Sequence, residues 1–206
     1  MANLATCILD YGSGNVKSVY NVLTYLGYDT VISNDSETIR NASHIILPGV
    51  GAFGSAMEKI MTRIEFEVLE DEVINKGKPF LGICVGMQVL SDIGKEYGEH
   101  TGFGWIPGVV DKISSNSLPL PHIGWNDIII KTDNPLFKDL KEYRDFYFVH
   151  SYALEAKHEE HVVAATEYGI TFNSIVQRDN IYGIQFHPEK SQKAGQLLLR
   201  NFLNIS

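Results

Sequence analysis

The sequence predicts an α/β fold: a mainly parallel central sheet flanked by helices, with antiparallel strands appended in the second half. Three observations carry this expectation. Early in the chain, short apolar runs alternate with helix-period segments, the pattern of strands buried by helices on both faces of a sheet. One such run, Pro79-Phe80-Leu81-Gly82-Ile83, ends in Cys84-Val85-Gly86, a tight turn of the kind that joins a strand to a helix. After about residue 105 the texture changes to short β-rich runs with little helix between them.

Taken in order, residues 4–9 are apolar and stop at Asp10-Tyr11-Gly12-Ser13-Gly14-Asn15, a buried strand ending in a tight loop. Val16, Val19, Tyr20, Leu23 and Leu26 then share one helical face, and Gly27 supplies the stop. Strands are expected near 30–33 and 44–47 with a short helix after Ser36, then one long helix over 55–75, then the 79–83 strand. In the second half, strands are expected at 109–113, 127–130, 146–150, 162–166, 174–177 and 182–186. Ser191 caps a terminal helix whose Ala194, Leu197, Leu198, Phe202 and Ile205 make one apolar face.

With 206 residues and no Pro/Gly/Ser-rich linker or internal repeat, residues 1–206 read as a single domain. A formal charge of −8 without any Lys/Arg run argues against a nucleic-acid partner. Cys7 and Cys84 both lie in apolar stretches, the usage of a reduced protein rather than a disulfide scaffold. The opening Met1-Ala2-Asn3-Leu4 lacks a basic region, and no uncharged stretch reaches membrane-spanning length. The expectation is a cytoplasmic protein with no membrane association.

Chemistry concentrates at Cys84. In a Gly-x-nucleophile-x-Gly elbow the nucleophile is held in a strained conformation, and the glycines are needed because a β-carbon there would strike neighbouring strands. The free N–H groups of the helix starting at Val85 favour a thiolate and offer a donor to an oxyanion. A buried, inert core cysteine is the competing reading, and it suits Cys7 better than Cys84. A base is supplied by Gln185-Phe186-His187-Pro188-Glu189: Pro188 holds His187 extended, and the i, i+2 spacing brings Glu189 to the same side to orient the imidazole. The loop Pro48-Gly49-Val50-Gly51-Ala52-Phe53-Gly54 offers further backbone N–H groups. Gly49, Gly51 and Gly54 also spell the dinucleotide fingerprint, so an oxidoreductase is the alternative reading. That match falls on the third strand rather than the first and leaves Cys84 and His187 unexplained. Gln88, one turn beyond Cys84, can face the same pocket and recognise a carboxamide. Glu96 and the 147–152 strand add polar groups. His150 competes with His187 as base but has no carboxylate two positions away. His158-Glu159-Glu160-His161 lacks a third ligand nearby and reads as a solvated charged loop, so no metal or other cofactor is expected.

The motifs Asp10-Tyr11-Gly12 with Gly14-Asn15, 47–54, 82–88, Pro121-His122-Ile123-Gly124-Trp125-Asn126, 148–152 and 186–191 run in order across nearly the whole chain. Together they resemble the class I, triad-type glutamine amidotransferases, and within that family the glutaminase subunits of imidazole glycerol phosphate synthases. The resemblance implies a flavodoxin-like topology and hydrolysis of L-glutamine to glutamate and ammonia through a Cys84 thioester, with His187 and Glu189 completing the triad. It implies an oxyanion hole from Val85 and from Val50 or Gly51, and glutamine binding by Gly49, Gln88, Glu96, Tyr147, His150, Ser151 and Tyr152. It also implies a heterodimer with a cyclase subunit of the β/α-barrel type that receives the ammonia. Asn15, His122, Trp125 and Asn126 are the expected interface. The acceptor pathway is either histidine biosynthesis or a paralogous surface-sugar amination.

Overall fold

A computed structural model describes residues 5–140 and 143–205. Leu4, placed at the start of the first predicted strand, lies outside the described residues, as do Met1, Ala2 and Asn3. The first half alternates as expected: β1 (Thr6–Leu9), α1 (Val16–Tyr25), β2 (Thr30–Ser33), α2 (Ser36–Asn41) and β3 (His44–Gly49). Val19 and Leu23 turn the buried stripe of α1 to the core, and Gly27, at φ +85°, reverses the chain after it. Asp35 caps α2 by accepting the Thr38 N–H at 2.8 Å.

The single helix expected over 55–75 is instead two, α3 (Phe53–Arg63) and α4 (Phe66–Glu70), followed by a π-helical turn at Asp71–Asn75. Ile64 is extended (φ −115°, ψ 135°) and buried, so the chain breaks helix to bury that side chain. No glycine or proline marks the break, and apolar periodicity alone continues straight across it.

β4 (Phe80–Cys84) leads directly into the single turn of α5 (Val85–Gln88). Then follow β5 (Ile93–Gly94), β6 (His100–Thr101), β7 (Gly108–Lys112), β8 (His122–Asp127), β9 (Ile129–Ile130), β10 (Asp145–His150) and β11 (Tyr152–Ala156). The chain closes with β12 (Val162–Tyr168), β13 (Ile170–Arg178), β14 (Ile181–Ile184) and α6 (Gln192–Phe202). The main sheet runs β2-β1-β3-β4-β14-β13-β12-β9. Its first five strands pair in parallel and the rest antiparallel. β14 is therefore not one of the appended antiparallel strands, as expected for 182–186, but returns to the parallel core beside β4, with Gly183 opposite Gly82. That return is what brings Cys84 and His187 to one sheet edge.

Two smaller sheets flank this edge, β10-β8 and β11-β7-β5-β6. β8 and β11 carry no clean alternating apolar signal. In β8 the pattern is inverted: His122 is buried while Ile123 and Trp125 are 59% and 48% exposed. Ser191 sits at the N-cap of α6 but its side chain caps nothing. Its hydroxyl donates to the His187 carbonyl at 2.6 Å and accepts the Tyr147 N–H at 3.0 Å, tying the turn around His187 to β10. Among the described residues, no helix is long and apolar enough to cross a membrane.

Candidate active site

The elbow is built from three glycines packed against one another. A β-carbon on Gly86 would lie 1.9 Å from the Leu47 carbonyl on β3, as expected of a clash with a neighbouring strand. On Gly82 it would lie 2.3 Å from the Gly86 carbonyl, so that clash is with the turn of α5 itself. On Gly49 it would meet the Gly86 nitrogen at 2.5 Å. With these three positions bare, α5 folds back over β3 and β4, and Cys84 takes up φ 55°, ψ −111°. Such a conformation costs about 1–3 kcal/mol and persists because the packing around it over-determines it.

Beyond β14 the chain bends at Gln185 and Phe186 before His187, which is itself extended and whose backbone N–H donates to the Tyr147 carbonyl at 2.9 Å. Its Nδ1 lies 2.8 Å from Glu189 Oε1, and the two side chains are 4% and 0% exposed. The same carboxylate oxygen accepts the Asn15 amide N–H at 3.0 Å, and Asn15 Oδ1 in turn accepts the Ser18 hydroxyl at 2.7 Å. Burial on its own would lower the pKa of His187. The sulfur of Cys84 and the carboxylate of Glu189, through hydrogen bonds and charge, outweigh it and push the value up to about 10. Burial likewise opposes the Glu189 charge, but His187 and then Asn15 hold its carboxyl below the usual range. Sulfur and carboxylate thus both favour the charged form of the imidazole that lies between them.

A cavity of about 420 Å³ opens over Cys84, lined among others by Val50, Gly51, Val85, Gln88, Glu96, His150, Ser151, Tyr152 and His187. Nearly all the pocket residues expected from the sequence therefore meet in one place. Two do not. Gly49 is buried against Gly86 beneath the floor, and Tyr147 faces outward, its ring 6.0 Å from Trp125 and under the Lys190 ammonium at 5.8 Å. Lys190 itself lines the cavity, as do Tyr97, Ala52 and Pro121, none of which stands out in the sequence as a pocket residue. Lys190 directly follows the His-Pro-Glu motif, and that neighbourhood is the signal that could have found it.

His150 is excluded as the base. Its Nδ1 donates to the Tyr152 carbonyl at 2.9 Å and its Nε2 lies 3.1 Å from His122 Nδ1. Burial drives its pKa down to about 3, so it stays neutral with both nitrogens committed. His122, expected at an interface, is instead buried, stacked on Tyr168 at 4.0 Å. Asn126 donates its amide to the Glu167 carbonyl at 3.0 Å, and Asn15 is committed to Glu189. Of the four expected interface residues, Trp125 is the one that presents a large exposed surface.

The dinucleotide alternative fails on the same geometry. The helix that follows the Gly49–Gly54 loop, α3, begins with the Phe53 N–H donating to Glu96 Oε2 at 3.0 Å. A carboxylate occupies the helix N-terminus where a pyrophosphate would have to sit. A β-carbon at Gly54 would meet the His100 ring, so that glycine serves packing. Around 158–161 the chain forms an exposed 3-10 turn, and the described residues contain no group of three or more potential metal ligands.

A strained cysteine at the C-terminal end of β4, a buried His-Glu pair beyond the adjacent strand and an open cavity above the sulfur define a cysteine-nucleophile site on a doubly wound sheet. The sequence model of the glutamine amidotransferase class-I family matches residues 7–205, and the chain belongs to that family. Within it, the chain is 45% identical to imidazole glycerol phosphate synthase subunit HisH 2 of Vibrio vulnificus, over 96% of this chain and 92% of that protein. It is 44% identical to subunit HisH of Leptospira borgpetersenii, over 96% and 98% of the two chains. For Aquifex aeolicus subunit HisH the figures are 43%, 97% and 96%. Among solved structures, PurLQS from Thermotoga maritima superposes with a TM-score of 0.75 at 18% identity, over 98% of each chain. A glutamine amidotransferase from the same organism gives 0.64 at 17%, over 94% of this chain and 81% of that one. These last two establish the fold.

Proposed function

We propose that this chain is the glutaminase subunit of an imidazole glycerol phosphate synthase, hydrolysing L-glutamine and passing ammonia to a β/α-barrel cyclase in a heterodimer. The single observation that carries the reading is the joint placement of Cys84 and the His187–Glu189 pair at the C-terminal ends of adjacent parallel strands, in a family named for glutamine amidotransfer.

In this reading the imidazolium of His187 favours the thiolate of Cys84. The sulfur attacks the side-chain carboxamide carbon of glutamine, and the carbonyl π pair moves to oxygen. The oxyanion is held by the Val85 N–H at the start of α5 and by an N–H of the Val50-Gly51 stretch. His187 gives its proton to the amide nitrogen, the C–N bond breaks, and ammonia leaves with a thioester formed on Cys84. His187, now neutral, takes a proton from water as its oxygen attacks the thioester. Collapse of the second oxyanion expels the thiolate and releases glutamate, leaving the imidazolium in place. Glu189 holds the imidazole in the required tautomer throughout, with Asn15 holding Glu189.

Glutamine enters as a zwitterion. Glu96 and Lys190 supply one negative and one positive group to the cavity wall, matching the α-ammonium and α-carboxylate. Ser151, Tyr152 and Gln88 line the remainder.

The test supplies a β/α-barrel cyclase and its nucleotide substrate with either glutamine or ammonium salt. Wild-type chain should support product formation from glutamine. Cys84→Ala should abolish that while the ammonium-driven reaction continues. Glutamine hydrolysed without product in the imidazole-forming cyclase would place the ammonia in another acceptor pathway.

A further inference from the structure

Gln185 is fully buried in the bend between β14 and His187, and its Nε2 lies 3.7 Å from the Cys84 sulfur. The orientation of its amide follows from the surrounding bonds. The Tyr152 carbonyl can only accept, and Gln88 Nε2 lies 2.9 Å from it, so Gln88 turns its nitrogen there. That nitrogen is also 3.2 Å from Gln185 Oε1, which fixes the Gln185 oxygen towards Gln88 and its N–H towards the sulfur.

A second arm leaves the same carbonyl. His150 donates to it through Nδ1, so the His150 Nε2 is the acceptor and His122 Nδ1 the donor at 3.1 Å. His122 Nε2 then accepts from Asn126 Nδ2 at 3.3 Å, on the strand that carries the exposed Ile123 and Trp125. Every donor in this chain meets an acceptor, with no alternative tautomer, and both imidazoles are buried and neutral.

We propose that Gln185 is a positioning residue for the thioester chemistry, donating an amide N–H to the Cys84 sulfur and being aimed by the chain Gln88, Tyr152, His150, His122, Asn126. The bond holds the sulfur in one rotamer and stabilises its charged form. It also joins β8 to the nucleophile by fixed hydrogen bonds. The inference rests on Cys84 being the nucleophile.

The test is the rate of Cys84 alkylation by iodoacetamide in the full chain, followed by peptide mass from mildly acidic to alkaline pH. Gln185→Met keeps the volume and removes the donor. It is expected to lower the rate at neutral pH about tenfold and to move the rise in reactivity to higher pH by about one unit. A profile superimposable on wild type overturns the proposal. Should Gln185→Met not fold, Gln88→Met leaves Gln185 in place but unaimed, and a several-fold loss with the same displacement is expected. An unchanged profile there likewise overturns it. A wild-type Cys84 that reacts at no pH would defeat the glutaminase reading itself, and this inference with it.

Discussion

Glu189 is the residue on which the charge state of the site turns. Its carboxylate is buried, accepts from both His187 and Asn15, and helps keep His187 protonated. Glu189→Gln keeps the shape, removes the charge and is expected to reduce glutamine turnover about 10²–10⁴-fold, measured in the complex with the cyclase. Asn15→Ala should cost less, about tenfold, and act through turnover rather than cyclase affinity, separating its bond to Glu189 from an interface role. The same pair sets a pH dependence of stability. The pKa of His187 is raised from 6.5 to about 10 in the folded chain, so its pairing stabilises the fold fully below about 6.5. That contribution is lost as pH rises through about 10, and alkaline denaturation curves should show a loss that Glu189→Gln diminishes. The geometry at Cys84, His187 and Glu189 was legible in the sequence because His187 and Glu189 are two positions apart and Cys84 sits between glycines. Asn15 is expected from the sequence at the partner interface, and its bond to Glu189 was not legible, since nothing local connects it to a carboxylate 174 positions away.

At the scale of elements, the elbow depends on backbones in contact. Gly86→Ala would drive a methyl group into the Leu47 carbonyl and should destabilise the fold by about 2–4 kcal/mol, read from chemical denaturation. Gly51 is a control of opposite kind: nothing lies near its missing β-carbon, but its φ is +95°. Gly51→Ala is expected to cost about 1–2 kcal/mol, from backbone strain alone. The inner strands of the parallel core were readable because they are buried along their length and read as largely apolar runs, as β1 and β4 do, whereas the edge strand β2 is half-buried throughout. The break at Ile64 and the strand β8 were not readable. The first has no glycine or proline to mark it. The second turns polar His122 inward to meet His150 and leaves Ile123 and Trp125 outside, the reverse of the alternation by which a strand is recognised.

For the whole molecule, topology does what no local motif can. The return of β14 beside β4 brings Cys84 and His187, far apart in the sequence, to one edge, and β10-β8 packs across that edge carrying an exposed Trp125. Trp125→Ala should weaken association with the cyclase at least about tenfold, by titration, while leaving Cys84 alkylation unchanged. The central claim is that Cys84 is a nucleophile at the bottom of a glutamine pocket. It is tested most directly by exposing the chain, alone and mixed with the cyclase, to a glutamine-shaped electrophile with and without excess glutamine, followed by peptide mapping. Modification confined to Cys84, suppressed by glutamine and absent from buried Cys7, is the predicted result. A folded chain whose Cys84 stays unmodified in both settings, or is modified equally with glutamine present, would contradict it.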